Sequence, residues 1–554
     1  MRPISFDYRP KRTAWLDYKT GRGVTDNGTS IKPKIGERRK YPNLTDLLDT
    51  AHTMGAERIM LTGAVPDVVP GKSHWLIAKT PGWKASGHWL NKPVTGRFVN
   101  ELSGDSLEVR TVEEWFSTNE LSPMQARDAW DVTARVLADA IPHAVMALTP
   151  ASTGANAWAL SLPKTIGGRR PGGKGPVQGG EPFELEPIPK DIADELHFTA
   201  GQHRIEHLTT GPDRCDCGDC LALFDAEATP QLETFSYVDG RFMYAACCRE
   251  LGTMPAVRLN RAAAADLLDR DPYARARYYV RFTIPDGWDH VGLLGVKHAQ
   301  ISAGWHYPNR PGATFETWAD AVEVKIALDA GWFVQPLEGV SFRKSRVLDT
   351  FAERMTRARE RVNTRPDIEP AVRRAVAAAL RSMLIQTIGN FASRLRGRTV
   401  TVWSVDEIPA EYADTMQRYG DAFTYEMPGR EHNARELAFY RPELAAQVWA
   451  RARARVLSSP LGGGKTWNGG VLAMGPSTLI GINGDAIYSS VVPNFAKPVD
   501  PSVPDDRGGD DGKVGRLRLK GVLHDVPTPT GLEARNVLRA KAEAAGVPGW
   551  ERDV

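Results

Sequence analysis

Five cysteines in 554 residues are too few for a disulfide scaffold and agree with a reducing compartment. No stretch reaches the roughly eighteen consecutive apolar residues that a membrane-spanning helix needs. Met1-Arg2-Pro3-Ile4 opens no signal-peptide pattern, so the expected location is cytoplasmic, without a membrane partner. Charge of one sign is scarce as well: a net charge of +3 is too small by itself to argue for nucleic acid. What remains, 42% hydrophobic and 25% charged residues, is ordinary globular composition, neither disordered nor fibrous. The length allows about two to four domains with sizeable cores.

Two separated stretches organise the chain. In Tyr237-Val238-Asp239-Gly240-Arg241-Phe242-Met243-Tyr244-Ala245-Ala246, Phe235 and Tyr237 alternate with polar neighbours, so Glu233 to Tyr237 is expected to be a strand. Asp239 is expected where that strand opens into a turn, ahead of a short apolar helix led by Phe242, Met243 and Tyr244. Far downstream, Ser477 to Ser490 places two apolar runs around an Asn483-Gly484 turn closed by Asp485. Two carboxylates at the tips of neighbouring strands are what a pair of magnesium ions requires to hold a triphosphate and a 3′-hydroxyl in line.

Met1 to about Ala200 reads as mixed α/β, with helices at Leu44 to Met54 and Ser122 to Ala140 and strands at Arg58 to Leu61, Trp75 to Lys79 and Ser106 to Arg110. Thr111-Val112-Glu113-Glu114 carries a capping-box pattern. Gly167 to Gly180 is glycine-rich and basic, and reads as a flexible surface loop rather than a phosphate contact. His203-Arg204-Ile205-Glu206-His207 matches H-x-x-E-H, in which one helix presents two His ligands to zinc and a Glu to water, but the stretch is short and no third ligand is well placed. Cys215, Cys217 and Cys220 could hold a structural zinc if His203, His207, Cys247 or Cys248 completed the set; otherwise they form a polar loop with free thiols.

Beyond the Asp239 stretch, strands are expected at Tyr278 to Ile284, with Val291 to Ile301 extending the same sheet, and at Trp332 to Phe342, with a helix from Thr317 to Ala330 between them. From Arg343 to Arg398 fourteen Arg or Lys face five Asp or Glu, on two long helices broken at Thr364 to Pro370. That excess suits a polyanion, and Arg373, Arg374, Arg394 and Arg396 are its candidate nucleic-acid contacts. Arg435 to Leu457 is strongly helical, with Pro442 at a helix start. Gly462-Gly463-Gly464-Lys465-Thr466 tempts toward a phosphate-binding loop, but Ser459 stands where its first glycine is required. Asp500 to Gly512 is expected to be disordered. The basic Lys513 to Lys520 stretch is read either as a primer-following strand or as a charged surface strand, and Leu532 to Ala545 as a short helix.

These residues resemble, in order, the motifs of family B DNA polymerases, the protein-primed phage and plasmid type in particular. The first palm motif, D-x-x-S-L-Y-P, falls in register with Asp239 to Ala245; the fingers motif, K-x-x-x-N-S-x-Y-G-K-F, has the spacing of Arg381 to Phe391; the third, D-T-D-S-I, aligns with Asn483 to Ile487. The resemblance covers roughly Phe235 to Lys520. It implies an α+β fold, a right-hand polymerase palm with helical fingers preceded by an α/β RNase H-like domain of exonuclease type. It implies that Asp239 and Asp485 are catalytic and bind two magnesium ions, that Tyr244 packs under the incoming sugar and excludes a 2′-hydroxyl, that Arg381 contacts the triphosphate and that Gly389 lies near the base pair. Lys513 and Lys520 would follow the primer.

The implied partners are a DNA primer-template, deoxynucleoside triphosphates and a terminal or priming protein. The implied activity is template-directed DNA synthesis for a phage, plasmid or integrated mobile element; the alternative is a catalytically inactive relative that binds nucleic acid. Departures from the motifs are Asn483 for the first Asp of the third, Arg381 for the fingers Lys, and Ile385 and Ile388 for its Asn and Tyr. The exonuclease D-x-E signature is absent: Asp17-Tyr18-Lys19 comes nearest and lacks the second carboxylate, so a degenerate exonuclease-like domain without proofreading is expected. The expected division is 1–200 for that domain, 201–340 and 401–500 for the palm, 341–400 for the fingers, and 501–554 for an acidic linker and rudimentary thumb.

Overall fold

The computed structural model describes residues 3, 8–35, 39–69, 72–89, 94–166, 181–202, 206–208, 215, 217–298, 304–394, 397–429, 432, 434–459, 469–499 and 509–547. The expected Gly167–Gly180 loop and the Gly462–Thr466 stretch lie outside them. The chain forms two compact units, changing from one to the other at Leu162/Pro163, Ala352/Glu353 and Tyr440/Arg441.

One unit combines the N-terminal part with the segment from Glu353 to Tyr440. Its ten-stranded sheet runs in the order Gln417–Tyr419, Ala422–Met427, Arg398–Val402, Trp83–Trp89, Thr95–Asn100, Ser106–Thr111, Arg58–Thr62, Thr13–Asp17, Gly23–Thr25, Ser30–Ile31. Arg58–Thr62 is parallel to both of its neighbours and buried along its whole length, as a strand covered on both faces must be. The helices Leu44–Thr53 and Pro123–Ala140 form where the sequence places them, each closed by a reciprocal capping box, Asn43 with Asp46 and Ser122 with Gln125.

Two local expectations fail in this unit. Trp75–Ile77 is a 3₁₀ turn rather than a strand, because His74 Nδ1 accepts the Leu76 N–H at 3.3 Å and the turn buries Leu76 and Ile77. No capping box forms at Thr111 to Glu114: the short helix Glu113–Phe116 starts without a side-chain cap, and Glu114 turns inward to meet Arg110 at 2.7 Å. The helix Pro370–Phe391 packs against Pro150–Ser161 so closely that a Cβ on Gly154 would stand 2.0 Å from Thr387 Oγ1, and Trp158 meets Phe391 edge-on at 4.6 Å. The break before Pro370 falls as expected, after the helix Asp349–Asn363.

The other unit holds a five-stranded antiparallel sheet, ordered Glu206–Leu208, Leu479–Asn483, Ala486–Ser489, Gln231–Gly240, Leu517–Pro527. The helix Leu532–Ala545 covers one face, its Leu538 and Ala542 packed with Phe235, Tyr237 and Tyr488. Gly521 is required there, since a Cβ would come within 1.9 Å of the Ala542 carbonyl. A second, four-stranded sheet is ordered Leu251–Leu259, Phe333–Ser345, Ala276–Thr283, Thr314–Asp320.

The expected helix from Thr317 begins only at Ala321. Residues Thr314 to Asp320 pair with Ala276–Thr283 instead, and Asp320 becomes the cap of the helix Ala321–Asp329, its N–H donating to Glu323 at 3.1 Å. Among the described residues from Val291 to His298 the sheet is not extended: there only Val296–Lys297 is a strand, and it pairs with Trp305–His306 in a sheet of its own. The helical stretch from Arg435 breaks into Ala434–Leu437 and Pro442–Leu457. The longer helix is buried on most of its surface, and its Gln447 amide clasps the backbone of Gly252, accepting its N–H at 2.7 Å and donating to its carbonyl at 2.8 Å. Gly509 to Gly512 is not disordered, because Asp510 is buried and ion-paired to Arg241. Among the described residues no helix is long and apolar enough to cross a membrane.

Candidate active site

Asp239 is the penultimate residue of the strand Gln231–Gly240, not part of a turn, and sits in the sheet between Ala486 and Arg518. It is 6% exposed. A hairpin forms where expected, but its turn lies one residue on from Asn-Gly: Asn483 ends its strand paired with Ala486, and the two turn residues are Gly484, at φ +58°, and Asp485. Gly240 joins the two motifs. Its N–H donates to the Asp485 carbonyl at 3.1 Å, and a Cβ on Gly240 would stand 2.8 Å from Asp485 Oδ2. The glycine therefore lets one carboxylate settle against the strand end beside the other.

The short helix Met243–Cys247 begins after Phe242, which takes a left-handed φ of +44° and so turns the chain back over the sheet end. This brings Tyr244 across the hairpin, its hydroxyl 3.8 Å from where a Gly484 Cβ would be. Below the carboxylates, the rings of Tyr237 and Tyr488 stack at 5.7 Å. Burial, with the Asp239 carboxylate next, pushes the Tyr237 phenol up. Burial, opposed by Arg539 and reinforced by Asp239 and Asp485, pushes Tyr488 up to about 12. Both phenols therefore stay protonated near neutral pH.

Lys520 was expected to follow a primer; its Nζ stands 3.2 Å from Asp239 Oδ2 and 2.9 Å from Glu543 Oε1. Lys513 is exposed and paired with Asp511 at 3.1 Å. The remaining candidates belong to the other unit. Arg381 and Arg374 are exposed on the helix Pro370–Phe391, Arg373 donates to the Arg365 carbonyl at 3.0 Å, and Arg394 is half-buried just beyond the helix. A Cβ on Gly389 would meet nothing within 4 Å. Arg396 lies outside the described residues.

The cysteine-rich stretch needs correction. Glu206 to Leu208 is a strand paired to Leu479–Asn483, so the helix that H-x-x-E-H chemistry requires does not form; His203 lies outside the described residues. Cys247 and Cys248 are buried in and just after the short Met243–Cys247 helix. The imidazoles that approach Cys215, Cys217 and Cys220 are those of His298 and His306, which the sequence reading did not consider.

The fold class is thus α+β, with an exonuclease-type α/β sheet, helical fingers and a sheet of polymerase-palm type. Among solved structures the chain is similar to phi29 DNA polymerase complexed with primer-template DNA and incoming nucleotide substrates, with a TM-score of 0.52 at 9% identity, over 93% of this chain and 85% of that one. An orthorhombic crystal form of phi29 DNA polymerase matches with a TM-score of 0.49 at 10% identity and the same coverage. No protein-family model and no curated protein matches the chain. At such identity the likeness is one of fold.

Proposed function

We propose that this chain is a template-directed DNA polymerase of a phage, plasmid or integrated mobile element, without proofreading, acting through Asp239 and Asp485. The observation that carries the reading is the seating of the Asp485 carboxylate against Gly240, one residue from Asp239 on the neighbouring strand. The donor set is oxygen-only, which suits hard divalent cations such as magnesium. Asp239 and Asp485 would hold two of them. When bound, such ions neutralise charge on the attacking and leaving oxygens of an in-line phosphoryl transfer.

The chain's own residues do the positioning. Tyr244, poised over the Gly484 turn, would pack under the incoming sugar and exclude a 2′-hydroxyl. Arg381, exposed on its helix, would take the triphosphate, and Gly389, where a Cβ would meet nothing within 4 Å, would lie near the base pair. Arg373, Arg374, Arg394, Arg396, Lys513 and Lys520 would contact DNA phosphates, a sequence-independent attraction that salt weakens. The substrates are then a DNA primer-template and deoxynucleoside triphosphates, and a terminal protein would be the partner if a protein hydroxyl primes.

Primer extension tests this: purified protein, primed template, deoxynucleoside triphosphates and magnesium or manganese, run beside Asp239→Ala and Asp485→Ala. Extension that both substitutions abolish is expected. No extension, with salt-sensitive DNA binding that survives both substitutions, would replace the reading by a non-catalytic nucleic-acid-binding replication factor.

A further inference from the structure

We propose that Cys215, Cys217, His298 and His306 bind one structural zinc ion. Their four ligand atoms lie within 4.8 Å of one another. Cys215 Sγ is 3.2 Å from Cys217 Sγ and 3.5 Å from His298 Nε2, and Cys217 Sγ is 3.3 Å from His306 Nδ1. A tetrahedral zinc with its usual sulfur and nitrogen bond lengths separates its ligand atoms by about 3.3–3.8 Å, so these three pairs already stand close to that range, and the wider separations, up to 4.8 Å, would close on the ion. The two sulfurs are well beyond the roughly 2.0 Å of a disulfide, and none of the five cysteines is joined in one.

The chemistry of the set selects the metal. Two thiols and two imidazoles without a carboxylate favour zinc and disfavour magnesium or calcium. Four protein ligands leave no open position, which makes the site structural rather than catalytic. A loop that merely carried free thiols would not gather two histidines from more than eighty residues downstream.

The surroundings are built to hold the ligands together before metal arrives. The Asp219 carbonyl accepts the N–H groups of Asn309 at 2.9 Å and Arg310 at 3.2 Å, and the Asn309 side chain accepts the Leu221 N–H at 2.6 Å. Cys220 stands beside the set, 3.4 Å from His306 Nδ1 and 3.7 Å from the Tyr307 carbonyl, and the set of four mutually close ligand atoms leaves it as a neighbouring thiol. Next to His306, the ring of Tyr307 lies 3.4 Å under the Arg453 guanidinium of the helix Pro442–Leu457. The ion would therefore pin the loop that leads toward the Asp239 strand to the segment resting on that helix.

The test is metal analysis of the purified full-length chain by inductively coupled plasma mass spectrometry. About one zinc per chain is expected in the wild type and in Cys220→Ser, and less than about 0.2 in the double variant Cys215→Ser/His306→Ala. Cobalt-substituted wild type should carry a sulfur-to-metal charge-transfer band that Cys220→Ser leaves intact. Should the double variant fail to fold, thiol titration of the wild type beside a colorimetric chelator replaces it, with release of one zinc per chain expected. A zinc-free wild type that takes up none on reconstitution, retention of zinc by the double variant, or a Cys215–Cys217 disulfide in the intact mass would each overturn the assignment. None of these outcomes depends on polymerase activity.

Discussion

Lys520 Nζ rests 3.2 Å from Oδ2 of Asp239 because Lys520 is the extra residue of a β-bulge: Tyr237 pairs with Gly521 and Val238 with Leu519, leaving the lysine unpaired between them. A bulge re-aims its extra side chain, and here the ammonium is turned onto the carboxylate proposed to bind metal. A divalent cation arriving at Asp239 must displace that ammonium, which retains Glu543 as its second partner. Lys520→Ala is therefore expected to bind manganese several-fold more tightly than the wild type in the absence of DNA, and Asp239→Ala to lose that gain. Calorimetric titration measures both, and unchanged or weaker binding in Lys520→Ala would sink the competition argument.

Gly240→Ala probes the seat of Asp485. The new Cβ would meet Met243 Cβ at 2.7 Å and Asp485 Oδ2 at 2.8 Å, so the carboxylate or the short helix must give way. Overpacking of this kind costs about 1–3 kcal/mol. In the proposed reaction the displaced carboxylate should reduce extension at least about tenfold, since small misplacements of reacting groups are expensive. Melting temperature and extension rate should fall together; a variant that melts early yet extends at the wild-type rate would show that the carboxylate's seat is not critical.

Gly154→Ala probes the other unit. Its Cβ would lie 2.0 Å from Thr387 Oγ1 and 2.5 Å from the Met383 carbonyl, and the second of these is backbone that cannot rotate away. The gain in helix propensity is about 1 kcal/mol, less than the cost of separating two packed helices. Net destabilisation is expected in thermal unfolding, and stabilisation would contradict the close packing.

Acid sensitivity should trace to Glu108. Burial raises its carboxyl, but Arg110, Arg58 and Lys11 outweigh burial and hold it at about 2, below the ordinary 4.5. Arg110 and Arg58 approach it at 2.9 and 3.2 Å. A depressed carboxyl pKa gives stability that is present above the unfolded value and lost as pH falls through the folded one, so this contribution is full above about pH 5 and disappears toward pH 2. Glu114, raised by burial despite Arg110, acts in the opposite sense. Comparing wild type with Glu108→Gln isolates the first effect: a loss of about 3–5 kcal/mol at pH 7, as for a broken buried pair, shrinking as the pH is lowered. A pH-independent difference in unfolding free energy would count against it.

Local patterns made much of this molecule legible. The hairpin between Leu479 and Ser489, the helices that start at Leu44 and after Ser122, the break before Pro370 and the alternation ahead of Asp239 are each fixed within a few residues, because turn formation, helix initiation and side-chain periodicity are local physics. Where neighbours in space competed, local reading failed. Thr317 to Asp320 looked helical until a strand partner claimed it, and Glu114 left its cap for Arg110. The order and nature of the candidate catalytic residues were thus determined by the sequence alone. Only the tertiary structure decided that His298 and His306 meet the cysteines and that a bulge sets Lys520 on Asp239, because strand pairing between segments tens to hundreds of residues apart leaves no periodic trace in either one.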